Sequence, residues 1–380
     1  MALRARLAEA RAQTDQLFDI VRSDSLYERP IAERHRIVFY LGHLEAFDWN
    51  LLREGVPGLK PFHPEFDQLF AFGIDPVGGG LPADRPEDWP SLEEVRCYNQ
   101  RIRESLDSQD VSSSLLLNVA IEHRLMHAET LAYMLHQLPL ERKIKTPQAP
   151  VANACPRERG MVEIPAGAAT LGQSSPGSFG WDNEFEAHSV EVPAFEIDRY
   201  KVTNGEYLEF MEQSHVSHPV FWRLTTQGWL YRGMFEEIPL PLDWPVYVSH
   251  AEASAYARGA GKALPTEAQW QRAVYGGGED AERVCPGNCD FQRWDPVPVT
   301  AYTGWLGNGW EWTSSLFEPF PGFQPFPFYP GYSANFFDGK HYVMKGGSAR
   351  TAACMLRRSF RNWFQPHYPY VYAGFRCVSR

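Results

Sequence analysis

The sequence predicts two domains of different build: an N-terminal four-helix bundle, then a large, irregular α+β domain rich in aromatic residues. Three observations carry this. The chain has 380 residues, a length that suits two domains of ordinary size better than one. Apolar residues recur near a 3.6-residue period before residue 138. Beyond residue 158 the pattern changes to short β-prone runs broken by Gly, Pro and Asn, and the 12 Trp are concentrated in that half.

Within residues 1–138 the elements follow in order. Met1–Val21 carries Leu3, Leu7, Leu17, Phe18 and Val21 among charged residues. Glu33–Arg53 carries Ile37, Val38, Tyr40, Leu41, Leu44, Phe47, Leu51 and Leu52. Ser91-Leu92-Glu93-Glu94 is a capping box that opens a third helix running to about Leu106. Ser112–Leu138 is the fourth and longest segment, closed by Pro139. One long connection, about Gly55–Pro90, separates the second helix from the third, as bundle topology permits. Residues 139–158 are rich in Pro and charge without periodicity and predict a linker. In residues 159–380, Met161–Ile164, His188–Val192 and Phe195–Ile197 are expected strands. Thr203–Gln213, His250–Gly261 and Thr266–Tyr275 are expected helices, and after Gly276 almost nothing is helical.

Composition excludes several classes. Lys and Arg number 36 against 47 Asp and Glu, a net charge of −11, which argues against a nucleic-acid partner because phosphate neutralisation needs surplus cations. No run of about 18 apolar residues predicts a membrane span. The first residues alternate charge with apolar groups and lack a secretory apolar core. Six cysteines, at 97, 155, 285, 289, 354 and 377, are too few and scattered for a disulfide framework, so a cytoplasmic setting is expected. Cys285-x3-Cys289 has no second pair and predicts two ordinary cysteines rather than a metal knuckle.

One constellation has ligand-like spacing: His123-Arg-Leu-Met-His127-Ala-Glu129. Residues four apart share a helix face, so both imidazoles can address one metal ion. His43 lies in the apolar run of the second helix, where a histidine needs a partner. Three histidines from two helices make a neutral facial set that leaves positions open on the ion, with zinc, iron and manganese all compatible. Glu129 falls off the histidine face and is expected as an acceptor that fixes a ring.

The second half contains more specific phrases. Val202-Thr203-Asn204-Gly205-Glu206-Tyr207 precedes Leu264-Pro265-Thr266-Glu267-Ala268-Gln269-Trp270, and Gly307-Asn308-Gly309-Trp310-Glu311-Trp312-Thr313 follows. Lys345-Gly346-Gly347-Ser348 and Gly374-Phe375-Arg376-Cys377-Val378 complete the order. Together they resemble the formylglycine-generating-enzyme-like (sulfatase-modifying factor) domain, a variant of the C-type lectin fold, over roughly residues 160–380. The first half, with His43 and His-x3-His-x-Glu, resembles the DinB-like bundle. That domain order resembles the non-haem iron sulfoxide synthases of ergothioneine, ovothiol and selenoneine biosynthesis.

The resemblance implies Fe(II) held by His43, His123 and His127, and O2-dependent joining of a thiol sulfur to an imidazole carbon. The thiol would come from cysteine or γ-glutamylcysteine and the imidazole from hercynine. Histidine as acceptor or a selenol donor is the alternative. The Arg361-Asn362-Trp363 phrase matches the segment lining the acceptor pocket, implying roles for Asn362, Trp363 and Phe364. Trp312 adds an aromatic face suited to a trimethylated amine. A proton-donating tyrosine is implied near Phe-Pro-Phe-Tyr, giving Tyr329, with Tyr332 as the fallback. Met126 and Phe364 depart from the family, which often has Gln and Asp there. The segment Asp295–Gly307 also looks shortened. Arg85, Arg350, Arg357 and Arg358 are all candidates for a donor carboxylate. The copper cysteine pair of the formylglycine-generating enzymes is absent, because Cys354 is followed five residues on by Ser359. A zinc-dependent DinB-type thiol transferase and a ligand-binding lectin-like module are the competing readings.

Overall fold

The structure is a computed structural model that describes residues 2–56, 59–71, 81–147, 160–174, 178–276, 287–301 and 305–379. The chain divides into two compact units, Met1–Thr146 and Pro147–Arg380.

The first unit is helical: α1 (Ala2–Asp19), α2 (Ile37–Leu52), the short α3 (Pro64–Leu69), α4 (Leu92–Asp107) and α5 (Ser114–His136). α5 packs against α1 and α2, and α2 against α4. Arg11 to Asp107 at 2.8 Å and Arg103 to Asp15 at 2.7 Å tie α1 to α4. α4 opens on the expected capping box: the Glu94 amide donates to Ser91 Oγ at 3.3 Å and the Ser91 amide to Glu94 Oε2 at 2.9 Å. α2 begins at Ile37 rather than Glu33, because Arg36 is extended and the Ile37 and Val38 amides donate to the carbonyls of Glu28 and Leu26. Nearly every α5 side chain from Leu117 to His136 is buried, so its polar residues must find partners inside the protein.

The expected linker starts as part of this unit. Val21 bridges Lys143, and the Ile144 amide donates to Ile20 O at 2.7 Å. Its remainder, 148–158, lies outside the described residues, as do Cys155, Cys285 and residues 302–304 of the shortened segment. Cys97, Cys354 and Cys377 are outside any disulfide, but Cys289 is disulfide-bonded, which corrects the expectation of an ordinary cysteine there.

Among its described residues the second unit is built from small sheets and three α-helices. β1 (Met161–Ile164) pairs antiparallel with β4 (Phe195–Asp198), and β2 (Gly167–Leu171) with β3 (His188–Val192). After α6 (Asn204–Ser214) comes an antiparallel sheet of β5 (Trp222–Thr225), β6 (Gly228–Arg232) and β7 (Glu237–Pro239). α7 (His250–Gly259) and α8 (Glu267–Tyr275) follow, each opened by a capping box. The largest sheet has the order β10-β9-β8-β11: β8 (Trp310–Leu316), β9 (Tyr342–Lys345), β10 (Asn362–Phe364) and β11 (Ala373–Gly374). β8 and β11 run parallel and the other neighbours antiparallel. Buried ion pairs pin the long loops around this sheet, including Glu311 with Lys201 and Arg376, and Glu267 with Arg361.

Candidate metal centre

α2 supplies His43, and one face of α5 supplies His123 and His127, four residues apart. The three rings are 4%, 3% and 5% exposed, and one nitrogen from each lies within 4.8 Å of the others. His127 Nε2 is 3.2 Å from His43 Nε2 and 3.2 Å from His123 Nε2. Two nitrogens about 2.1 Å from a shared ion subtend about 100° at that separation, between octahedral and tetrahedral values. Burial pushes the His43 imidazole down to about 4 and holds His123 and His127 well below their ordinary value. At neutral pH the cluster is therefore uncharged, with lone pairs available to a cation. The donor set fits a divalent first-row metal.

The ring orientation is set from outside the two helices. His43 Nδ1 is 2.6 Å from the Phe70 carbonyl oxygen. A carbonyl only accepts, so Nδ1 bears the proton and Nε2 presents its lone pair to the cluster. Phe70 is placed by α3, whose Asp67 receives the Tyr98 hydroxyl at 2.7 Å and the Trp49 indole and Arg53 guanidinium at 3.3 Å. Phe39 stacks on His43 at 4.9 Å and Phe47 on His123 at 3.4 Å, both reaching their rings from the same face of α2. The acceptor that fixes His43 is thus a backbone carbonyl; Glu129, which the sequence offers as an acceptor for one of the rings, is buried two residues beyond His127. No side-chain pattern announces a carbonyl acceptor.

Gly42 makes this arrangement possible. A Cβ there would stand 2.5 Å from the Phe70 ring. Gly42→Ala should gain helix propensity of about 1 kcal/mol but displace Phe70 and, with it, the carbonyl that holds His43. The expected outcome is metal affinity lowered roughly 10-fold together with a lower melting temperature. Metal titration of the variant checks this, and unchanged affinity would show that the Phe70 bond is dispensable.

The remaining predicted residues lie elsewhere. Met126 is half-buried beside His127 on α5. In the second unit Tyr329, Tyr332 and Trp363 form one chain of rings, with centroids 5.6 and 5.5 Å apart. Trp363 also stacks on Phe317 at 4.1 Å, and Phe364 on Tyr368 at 5.2 Å. Asn362 Oδ1 accepts from the Trp363 amide at 2.9 Å. Trp312 is a correction: it is wholly buried and its indole N–H donates to Val248 O at 2.9 Å, so it is a core residue with no face for a ligand. Tyr332 is buried with its ring stacked on Trp181 at 3.9 Å, while Tyr329 is half-buried. Burial, and then the nearby Asp182 carboxylate, push the Tyr329 phenol up to about 12. Asp182 accepts the Ser333 hydroxyl, a buried pairing that sequence reasoning missed because nothing in Trp-Asp-Asn-Glu marks one acid as buried. At the position of the absent copper ligand, Ser359 Oγ donates to the buried Glu184 at 2.6 Å.

Comparison with known proteins adds to this geometry. Residues 147–298 and 298–380 match the sulfatase-modifying factor enzyme 1-like domain. "Hercynine oxygenase" of Mycolicibacterium smegmatis is 32% identical, over 93% of this chain and 95% of its own length. "Ergothioneine biosynthesis protein 1" of Schizosaccharomyces pombe is 30% identical over 95% of this chain, and that of Neurospora crassa 28% over 93%. The chain spans about half the length of these fungal relatives, 54% and 55%.

Proposed function

Because this chain belongs to the ergothioneine sulfoxide synthase family, with a sulfatase-modifying-factor-type second unit, we propose that it forms a carbon–sulfur bond between hercynine and a thiol in an Fe(II)- and O2-dependent reaction. The observation that carries the reading is the cluster of three neutral, buried imidazoles in a chain that aligns over nearly the full length of a hercynine oxygenase. We read the helical unit as a DinB-like four-helix bundle and the setting as cytoplasmic. Among the described residues no helix is long and apolar enough to cross a membrane.

The overall change joins one thiol, one imidazole C–H and O2 into a carbon–sulfur bond, a sulfur–oxygen bond and one water, which carries off both hydrogens. Iron bound by His43, His123 and His127 would supply the redox chemistry between thiolate and O2. The chain's own task is placement. Three neutral ligands leave open positions and add no charge to compete with a thiolate. Asn362, Trp363 and Phe364 offer one amide and two aromatic faces for a carboxylate and a quaternary ammonium, which has no proton to donate.

Tyr329 is the residue suited to hold a proton until it is needed, since its phenol stays protonated far above neutral pH. Tyr329→Phe should divert oxygen onto the donor, so that its sulfinic acid accumulates at the expense of the coupled sulfoxide. An unchanged product ratio assigns Tyr329 to packing. The reading as a whole is tested by mass spectrometry of products from Fe(II)-loaded protein. Hercynine or histidine is supplied with cysteine, γ-glutamylcysteine or a selenosugar. A coupled sulfoxide formed with O2 uptake is expected. Thiol transfer by zinc-loaded protein without O2 uptake would overturn it in favour of a transferase.

A further inference from the structure

Behind the imidazoles lies a second cluster that the proposed chemistry does not use. Arg124, next to His123 on α5, is wholly buried, and its guanidinium reaches partners on two other helices. It donates to Glu45 at 3.0 Å, to Asp48 at 2.6 Å and to the Leu44 carbonyl at 2.9 Å, all on α2, and to Thr14 of α1 at 3.3 Å. Leu44 is the neighbour of His43, so one side chain ties the backbone beside one ligand to the backbone beside another. Glu45 also receives Arg103 of α4 at 2.6 Å, and Arg103 continues to Asp15 of α1. The network therefore joins α1, α2, α4 and α5.

Stability alone does not account for it. Taking such charges out of water offsets most of their attraction, and apolar replacements of a whole buried ion network are often neutral or stabilising. Glu45 Oε2, Asp48 Oδ1 and Arg124 Nε are moreover buried without a hydrogen bond among the described residues. What a directional network supplies, and an apolar contact does not, is one fixed register between helices. We propose that Arg124 is a positioning residue: by locking α5 against α2 through Leu44, Glu45 and Asp48 it holds His123 and His127 in register with His43, and it sets metal affinity rather than fold stability. This rests on the three-histidine centre proposed above.

The test is Co(II) titration of the apoprotein, read by the ligand-field absorption bands, beside thermal unfolding of the same metal-free samples. In Arg124→Lys the charge remains but the planar fork that spans two carboxylates and a carbonyl is lost. In Glu45→Leu/Asp48→Leu/Arg124→Met the charges are removed as a set. Both variants should bind Co(II) roughly 10-fold more weakly or worse, with altered bands. The metal-free triple variant should melt no lower than the unaltered chain. Wild-type affinity and bands in either folded variant overturn the proposal. So does an affinity loss that merely follows a loss of metal-free stability in both. If the unaltered chain binds no Co(II), the histidine centre itself fails and the positioning role goes with it.

Discussion

His127→Ala should empty the centre and end turnover while leaving the helical unit folded. His127 Nε2 is the nitrogen shared by both close pairs, 3.2 Å from His43 and 3.2 Å from His123. Without it two imidazoles remain on different helices with no third ligand to close the set. Metal affinity should drop by more than roughly 100-fold, beyond the loss typical of an outer partner. The fold should survive, because the removed group is a neutral buried ring whose Nδ1 has no hydrogen bond among the described residues, and burying such an atom already costs stability. His43→Ala should be the harsher change, since it also strands the Phe70 carbonyl that now accepts from Nδ1. Elemental analysis after loading, with circular dichroism melts of the metal-free proteins, reads both effects. Full iron occupancy in either variant would remove that residue from the ligand set.

How much of the molecule was legible in the sequence depends on which forces were written in side chains. α5 was, because a long apolar run closed by Pro139 and two histidines four apart both survive as pattern. α4 was, because its capping box is a local device made by Ser91 and Glu94 alone. The start of α2 was not: residues 33–36 contain nothing that breaks a helix, yet the Ile37 and Val38 amides bond to Glu28 and Leu26, which no local pattern reveals. Phe70 was equally hidden, since its contribution to the centre is a carbonyl that every residue has. In the second unit aromatic richness did not separate core from pocket. Trp312 and Trp363 look alike in sequence, yet one is wholly buried with its N–H spent on Val248 and the other is half-buried on a short edge strand. The short strands β5 to β7 went unread because three to five residues carry too little alternation to stand out.

Glu311→Ala should sharply destabilise the second unit. Glu311 is wholly buried on β8 and receives Lys201 at 2.9 Å, Arg376 at 3.1 Å and the Trp270 indole at 3.2 Å. Burial alone would raise its pKa, but Arg376 and then Lys201 more than offset this and hold the carboxyl below the usual range. Remove it and two buried cations face each other without a counter-charge. Lysine can shed its proton, and burial already lowers Lys201, but arginine cannot. Breaking one such pair typically costs about 3–5 kcal/mol, a large share of the ~5–15 kcal/mol that holds a domain together. The melting temperature should therefore fall by roughly 10 °C or more. Acid should act on the same group. A carboxyl whose folded pKa is depressed stabilises the fold above its unfolded value, and that contribution is lost as pH falls through the folded one. Glu311→Ala should accordingly flatten the acid limb of the unit's stability curve, and a drop of under about 3 °C with an unchanged acid limb would show that Lys201 and Arg376 find other partners.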